Sequence, residues 1–332
     1  MKEKEMTMRE ALNLALDQAL QADDRVFLLG EDIADPGASG PTAGLSSKYG
    51  HDRVLDTPIS EAAIVGAAIG AAIDGLLPVA EIMIMDFIGI AADQLINNAA
   101  KLRFMTAGRT TAPITVRTQV YAGLATGATH SQSLEAWFMH IPGMKVIVPS
   151  TPRDGKGLLT SAIFDADPCL FIETIRLQGR KGPVPLDPGF AIPLGQADIK
   201  RTGDDVSLIS YGRAVHDALA AAATLAEQGV SAEVVDLRTL LPLDVDTIVE
   251  SARRTRRVVI VHDAIQFAGP GAEIAAILSS ELFGELAAPV QRVGARFVPN
   301  PAAAGLEAQV YPSPARIVAA AQVTLEKAKA HG

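Results

Sequence analysis

Residues 54–73, VLDTPISEAAIVGAAIGAAI, join a short extended segment, a polar turn and a run of small apolar residues. The extended part is Val54–Asp56, and the helical pattern begins near Ser60. A strand that passes through a short loop into a helix is the repeating unit of a parallel sheet covered by helices. This stretch therefore predicts an α/β fold, provided that the same alternation continues along the chain.

The alternation does continue in both halves of the chain. Further strands are predicted in the first half at Val26–Leu29, Val79–Met85, Ile114–Gln119, Lys145–Pro149 and Cys169–Glu173, with helices near 7–22, 60–76, 89–106, 133–140 and 152–165. The second half predicts strands at Val206–Tyr211, Ala232–Leu237, Val258–His262 and Val290–Val293, with helices near 213–228, 244–256, 270–284 and 313–328. Continuous apolar strands separated by helices indicate two tandem, doubly wound α/β domains.

A change of composition separates the two halves. The stretch 176–204 is rich in Gly and Pro and has little periodicity, which is typical of a connection between domains. We expect a first domain over residues 1–177, a linker over 178–204 and a C-terminal α/β domain over 205–332.

Composition narrows the class of partner. A net charge of −9 and a pI near 5.2 argue against nucleic acid or an anionic membrane as the partner. Cys169 is the only cysteine, so no intrachain disulfide forms and a reducing compartment is expected. The charged start of the chain lacks the apolar segment of a signal peptide, and the apolar run 62–73 is shorter than the ~20 residues of a membrane span. We therefore expect a soluble, cytoplasmic protein.

Glu61 is the most informative single residue, because it stands alone at the start of the apolar helix, with no further charge until Asp74. Apolar surroundings suit an acid that holds one proton in a fixed place. A structural alternative is that Ser60 caps the helix and Glu61 is a first-turn acid favoured by the helix dipole. The residues alone leave both interpretations open.

Two more loops follow predicted strands at the edge where open α/β sheets carry their chemistry. One contains Asp86–Gly89, and the other, 120–133, is rich in glycine and ends in His130-Ser131-Gln132-Ser133. The sequence has no Gly-x-Gly-x-x-Gly, no P-loop, no Gly-x-Ser-x-Gly and no Cys/His cluster at metal spacing. These absences argue against nicotinamide, nucleoside-triphosphate, hydrolase and zinc chemistry.

Six motifs in order resemble the β chain of the thiamine-diphosphate-dependent decarboxylating component of 2-oxoacid dehydrogenase complexes. They are Leu29–Asp32, Asp56–Glu61, Ala99–Arg103, His130–Ser133, Val148–Pro152 and Val235–Leu240. The resemblance extends from about residue 7 to about residue 325. It implies a transketolase-like pyrimidine-binding domain, which binds the cofactor, followed by a transketolase C-terminal-like domain.

The resemblance also implies roles for individual residues. Glu61 matches the acid that hydrogen-bonds N1′ of the cofactor's aminopyrimidine, Phe87 matches an aromatic residue that stacks on this ring, and Ile59 matches a residue that lines the same pocket. His130 matches a histidine that faces the reaction centre and steers proton transfer or reductive acylation. A structural potassium ion in some members is bound by the segment that matches Ile114, Ala162, Ile163, Asp165 and Asp167. Asp165–Pro168 equally suits a turn that ends a helix.

Part of the implied cofactor site is missing from this chain. Thiamine diphosphate needs magnesium held by a Gly-Asp-Gly…Asn segment, which this sequence lacks. In the family this segment lies on a separate α chain, so the resemblance implies an α2β2 heterotetramer with a shared active site. It further implies a lipoylated acyltransferase component as acyl acceptor, and a β chain that is inactive alone.

The substrate stays open between pyruvate, a branched-chain 2-oxo acid and acetoin. Asp86–Gly89 and Ser131–Leu134 are similar to the acetoin branch of the family, whereas Val261–Ala264 is similar to the 2-oxoacid branch. Two other functions remain: the C-terminal subunit of a split transketolase, which passes a two-carbon ketol unit to another acceptor, and a non-catalytic α/β scaffold chain. No role is assigned to His262.

Overall fold

The computed structural model of the chain describes residues 2–34 and 40–329, with side chains to residue 326. The chain divides into two compact units: Met1–Tyr121 with Trp137–Leu194, and Ala122–Ala136 with Gly195–Gly332. The elements up to Pro185 are β1 (Glu3–Thr7), α1 (Met8–Ala22), β2 (Val26–Gly30), α2 (Leu45–Tyr49), β3 (Val54–Asp56), α3 (Glu61–Ile73), β4 (Leu77–Ile82), α4 (Ala100–Met105), β5 (Thr115–Val120), α5 (Glu135–Met139), β6 (Lys145–Ile147), α6 (Pro152–Ile163), β7 (Cys169–Thr174) and β8 (Lys181–Pro185). The remaining elements are β9 (Asp198–Arg201), β10 (Val206–Ser210), α7 (Ala214–Glu227), β11 (Ala232–Asp236), β12 (Thr239–Leu241), α8 (Val245–Thr255), β13 (Val258–Ile265), α9 (Pro270–Glu281), β14 (Gln291–Ala295), α10 (Ala304–Glu307) and α11 (Pro314–Lys329).

The first unit is built on a parallel sheet. Within the described residues, six of its strands lie in the order β6-β7-β5-β4-β2-β3, and every pairing among them is parallel. Helix α1 begins with a capping box in which Thr7 and Glu10 satisfy each other's backbone N–H groups. Its buried leucines join those of α6 and residues of the sheet in one core. The two helices approach closely, because a side chain at Gly155 would collide with Met8.

The second unit has its own sheet, in the order β14-β13-β10-β11-β9. Only β9 is antiparallel to its neighbour among the strands described for this sheet. Its core is formed by valines of the strands and alanines of α7 and α11, whose small side chains allow helix and sheet to pack closely. The prediction of an α/β fold with doubly wound sheets is thereby confirmed.

Three of the differences from the prediction concern the site or the domain limits. The segment predicted as one helix over 89–106 contains a π-helix, Gln94–Ala99, and the short α4, and it follows a 3-10 helix, Met85–Gly89. Strand β4 ends at Ile82, three residues earlier than expected. The stretch expected to be a linker contains β8, which pairs with β1, and β9, which pairs with β11. The domain limits 1–177, 178–204 and 205–332 stay predictions.

The sheet order of the first unit decides which loops become neighbours. Strands β3, β2, β4 and β5 lie side by side and parallel, so their carboxyl ends share one edge. The loops that follow them carry Glu61, Glu31, Phe87 and Tyr121 respectively. This is the edge where ligands bind in open α/β sheets. Within the described ranges, no helix combines the length and apolar character that crossing a bilayer requires.

Candidate functional site

Glu61 is the first residue of α3 and is only 7% exposed. Ser60 occupies the N-cap position without a capping hydrogen bond from its side chain, whereas Glu61 lies in the first turn of the helix, as the alternative based on the helix dipole expects. The loop before it is tied to the neighbouring strand, since the Thr57 N–H donates to Gly30 O at 2.9 Å. The Asp56 carboxylate accepts the N–H of Ala34 at 2.7 Å. These bonds fix the loop that presents Glu61.

The Glu61 carboxylate has no hydrogen bond or ion pair with the part of the chain that the structure describes. Two residues before it, Ile59 is 78% exposed, although isoleucine is normally among the most buried residues. Phe87 is half-buried in the 3-10 helix Met85–Gly89. A nearly buried acid and an exposed apolar side chain thus stand two residues apart at this edge of the sheet.

A set of charged residues that sequence reasoning missed lies on the same strands. Arg117 in β5 is buried and forms ion pairs with Glu81 in β4 at 2.7 Å and with Glu173 in β7 at 2.6 Å. Burial raises the pKa of Glu173 despite the attraction of Arg117. The sequence did carry a signal for these ion pairs, since each of three otherwise apolar strands contains one charged residue. Buried charges require partners, so the three residues could have been expected to pair.

Glu31, in the loop after β2, is the second acid at this edge. Its Oε2 is buried and has no hydrogen-bond partner among the described residues. Burial is the main cause that raises the pKa of Glu31, and the negative charges of Glu61, Asp32 and Glu81 raise it further.

His130 belongs to the second unit, at the end of the glycine-rich loop. It is half-buried, and its Nδ1 lies 3.0 Å from Thr129 Oγ1. Thr126 Oγ1 donates to the His130 carbonyl oxygen at 2.9 Å and lies 2.6 Å from Ser131 Oγ. Beyond His130, Ser131–Leu134 line a cavity of about 310 Å³ together with Phe297 and other residues of the same unit.

The glycine-rich loop is held by residues that the sequence analysis did not single out. The carboxylate of Glu307, in α10, accepts the N–H groups of Gly123 at 3.0 Å and Ala125 at 2.6 Å. Asn300 Nδ2 and Tyr311 OH each donate to the Ser131 carbonyl oxygen at 2.9 Å. No local motif signals these contacts, because they join positions about 170 to 180 residues apart.

The five residues expected near a potassium ion lie together in the first unit. Ala162, Ile163, Asp165 and Asp167 are at the C-terminal end of α6, and the Ile114 carbonyl oxygen accepts the N–H of Cys169 at 2.9 Å. Both carboxylates already have cationic partners: Lys145 Nζ is 2.6 Å from Asp165 Oδ1, and Arg103 Nε is 2.7 Å from Asp167 Oδ1. Carbonyl oxygens keep a second lone pair, which is what a potassium ion would use.

His262 lies buried at the centre of the second unit. Its Nδ1 donates to the Ala264 carbonyl oxygen at 2.9 Å, and its Nε2 has no partner among the described residues. Burial lowers the pKa of His262 to about 4, so the ring is neutral at physiological pH. A Cβ at Gly271 or Gly294 would lie within 2.8 Å of the ring. His262 therefore acts as a tightly packed core residue in this structure.

Within the described residues, no group of three or more His, Cys, Asp or Glu side chains is arranged to hold a metal ion. Among the acids at the sheet edge, Glu81 pairs with Arg117 and Asp56 accepts the N–H of Ala34, whereas Glu31 Oε2 has no hydrogen-bond partner among the described residues.

Comparison with known proteins gives the family. Residues 4–179 match the model of the transketolase pyrimidine-binding domain, and residues 195–317 match that of the transketolase C-terminal domain. The chain is 46% identical to the β subunit of an acetoin:2,6-dichlorophenolindophenol oxidoreductase of Cupriavidus necator, covering 98% of this chain and 99% of the relative. It is also 46% identical to the mitochondrial pyruvate dehydrogenase E1 component subunit beta-2 of Oryza sativa subsp. japonica, covering 96% and 86%.

A solved structure supports the fold alone. A split-gene transketolase, described as an inactive β4 tetramer, superimposes with a TM-score of 0.76 at 24% identity and covers 97% of this chain and 98% of that one. The matches to both domain models and the full-length relatives bear out the resemblance drawn from the six motifs. The chain belongs to the transketolase-like family of β subunits of thiamine-diphosphate-dependent 2-oxoacid and acetoin dehydrogenases.

Proposed function

We propose that this chain is the β subunit of a dehydrogenase that cleaves a 2-oxo acid or acetoin and passes the acyl group to a lipoyl carrier, with an active site shared with an α subunit. One observation carries the proposal most strongly. Glu61 is almost buried at the start of α3, at the carboxyl edge of a parallel sheet, and has no partner within the described chain. A buried carboxyl group without a partner is unfavourable unless a ligand supplies one.

Thiamine diphosphate, when bound, supplies the nucleophilic carbon and the electron sink for this reaction. Glu61 holds a proton at N1′ of the aminopyrimidine ring, and this contact fixes the tautomer of the ring. Glu31 lies at the same edge of the sheet, and burial together with neighbouring negative charges raises the pKa of its carboxyl group. Phe87 stacks on the face of the ring and Ile59 lines its pocket. The exposure of Ile59 in this chain supports a pocket wall that a ligand or partner completes.

His130 steers protons or the acyl transfer at the reaction centre. Its support is the anchoring of its loop: both the His130 carbonyl oxygen and that of the next residue, Ser131, accept side-chain hydrogen bonds. A histidine whose loop is anchored in this way is suited to a proton-transfer role, because such a group must keep its geometry.

The α subunit completes the enzyme in this proposal. It carries the diphosphate-binding segment and holds magnesium, and two copies of each chain form an α2β2 heterotetramer that delivers acyl groups to a lipoylated acyltransferase. A structural potassium ion on the carbonyl oxygens near Ile114 and Ala162 is proposed as an additional cofactor. We expect the assembly in the cytoplasm, in agreement with the single buried Cys169.

The test is reconstitution of the chain with an α subunit that carries the diphosphate motif. We expect the complex to acylate a lipoyl domain from pyruvate, a branched-chain 2-oxo acid or acetoin, and the mass of the acyl group identifies the substrate. Glu61→Gln lowers this activity by several orders of magnitude, because the proton at the ring nitrogen is lost. Asp246→Asn, which changes an exposed first-turn acid of α8, leaves activity unchanged.

Each alternative function has its own outcome in this experiment. Transfer of a two-carbon ketol unit to a sugar phosphate, with no acylation of the lipoyl domain, would replace the proposal by a split transketolase. Full activity of the Glu61→Gln complex would show that Glu61 is only a first-turn acid and would favour a scaffold role for the chain.

A further inference from the structure

Within the glycine-rich loop 120–133, several residues have positive φ values. Gly123, Ala125 and Gly127 have φ values of +84°, +57° and +87°, so three alternate residues adopt the left-handed region. Ala125 is not glycine, and this conformation is sterically unfavourable for an alanine. A loop of this kind keeps one shape only when contacts outside it hold it there.

Glu307 supplies the first of these contacts. Backbone N–H groups that lie close together in a turn conformation can form a concave anion site. Here the anion is a carboxylate of the chain itself: the two oxygens of Glu307 accept the N–H groups of Gly123 and Ala125, at 3.0 and 2.6 Å. Glu307 is only 2% exposed, so water competes little for either bond.

The other end of the loop is held by the same C-terminal segment. Asn300 Nδ2 donates to the Ser131 carbonyl oxygen at 2.9 Å. The single hydroxyl proton of Tyr311 lies within hydrogen-bond reach of two acceptors, the Ser131 carbonyl oxygen and Asn300 Oδ1, each 2.9 Å from the hydroxyl oxygen. Residues of the segment 300–311 thus form hydrogen bonds with the loop on both sides of His130. Inside the loop, Thr126 Oγ1 contacts both the His130 carbonyl oxygen and the Ser131 hydroxyl.

We propose that Glu307 is a positioning residue that fixes the glycine-rich loop and thereby the place of His130 in the reaction. The role of His130 in this inference rests on the proposed function. The fixation of the loop by Glu307 is independent of it, because it follows from hydrogen bonds within the second unit. Glu307 touches neither substrate nor cofactor in this proposal; it acts through the backbone at Gly123 and Ala125.

The experiment uses the full chain in complex with its α subunit and compares Glu307→Gln with the wild type. Glutamine keeps the size of the side chain but presents an NH2 group to one of the two N–H groups. Glu227→Gln, which changes an exposed glutamate at the end of α7, is the matched control. Hydrogen–deuterium exchange of the loop, kcat, KM, the pH profile of kcat and the Kd for thiamine diphosphate are measured together.

We expect exchange at Gly123 and Ala125 to accelerate at least about tenfold in Glu307→Gln, since charge-assisted bonds are lost. The kcat value falls about 10- to 100-fold, because a small displacement of a reacting group is costly. The pH profile of kcat shifts with the altered surroundings of His130, while the Kd for thiamine diphosphate stays within about threefold of the wild type. Tyr311→Phe, which removes the bond to the Ser131 carbonyl oxygen, lowers kcat in the same direction.

Unchanged loop exchange in Glu307→Gln would overturn the inference, as would accelerated exchange with wild-type kcat and pH profile. Exchange that accelerates equally across β10, β11 and β13 would assign Glu307 a general structural role instead, and this also overturns it. If the wild-type complex acylates no lipoyl domain, the proposed function fails. The exchange at Gly123 and Ala125 then still tests whether Glu307 fixes the loop.

Discussion

Arg117 offers the sharpest test of how the first unit is held together. Its guanidinium is buried in β5 and pairs with Glu81 at 2.7 Å and Glu173 at 2.6 Å, and the side chains of Arg117 and Glu173 are 2% and 1% exposed. Arg117→Met removes the only cation that these ion pairs supply and leaves two carboxylates facing each other across the sheet. One of them, Glu173, keeps a hydrogen bond from Gln178 Nε2 at 2.7 Å.

Removal of one partner from a buried ion pair costs about 3–5 kcal/mol, because the remaining charge stays desolvated. We therefore expect Arg117→Met to lower the free energy of unfolding of the first unit by an amount in that range, measured by urea denaturation. A triple variant that also carries Glu81→Gln and Glu173→Gln recovers most of the loss, since the buried charges are removed as a set. A loss below about 1 kcal/mol, or a triple variant less stable than Arg117→Met alone, would refute the reasoning.

Two further predictions concern the backbone and the pH dependence of stability. Gly143→Ala lowers the free energy of unfolding by about 2–3 kcal/mol, because φ is +99° and a Cβ would overlap the Ala100 carbonyl oxygen. Burial raises the pKa of Glu135 to about 7 from 4.5, so the folded state binds more protons than the unfolded state between these values. Stability therefore falls as pH rises through that window, by up to about 3 kcal/mol, and Glu135→Gln removes this fall. Thermal unfolding at pH 4.5 to 7.5 measures both variants.

The contradicting results are distinct for the two variants. Wild-type stability of Gly143→Ala would mean that the chain around Ala100 yields without cost. An equally steep loss of stability with pH in Glu135→Gln would assign the pH dependence to other groups. The Tyr211 hydroxyl donates to Glu135 at 2.8 Å, and this bond lowers the pKa of Glu135 against the effect of burial. Tyr211→Phe should therefore enlarge the loss of stability with rising pH.

Apolar runs predicted the strands of both sheets well, because buried parallel strands must be apolar on both faces. Val54–Asp56 was predicted with its observed bounds, and β2, β10 and β11 differ from prediction by one residue at one end. The pair β1 and β8 was missed, since Glu3–Thr7 is mostly charged and Lys181–Pro185 contains two prolines. Their pairing is decided by contacts between distant segments, which periodicity does not report.

Among the residues of the candidate site, sequence patterns likewise single out some and miss others. Glu61 could be singled out because it stands alone at the start of an apolar helix, whereas Ile59 and Phe87 were predicted from the resemblance to the family. Arg117 and Glu307 could not be found as a site, because their partners lie far away in sequence: Glu307 contacts a loop more than 180 residues before it. Local patterns report residues that differ from their neighbours, whereas positioning contacts arise only from the fold.

In the proposed function this chain supplies half of a shared cofactor site: Glu61 binds the ring, and another chain binds the diphosphate. Calorimetric titration of thiamine diphosphate with magnesium into the chain alone, and into its complex with the α subunit, tests this claim directly. We predict no saturable binding to the chain alone at ligand concentrations up to about 1 mM and micromolar binding to the complex. Micromolar binding to the chain alone would contradict the account.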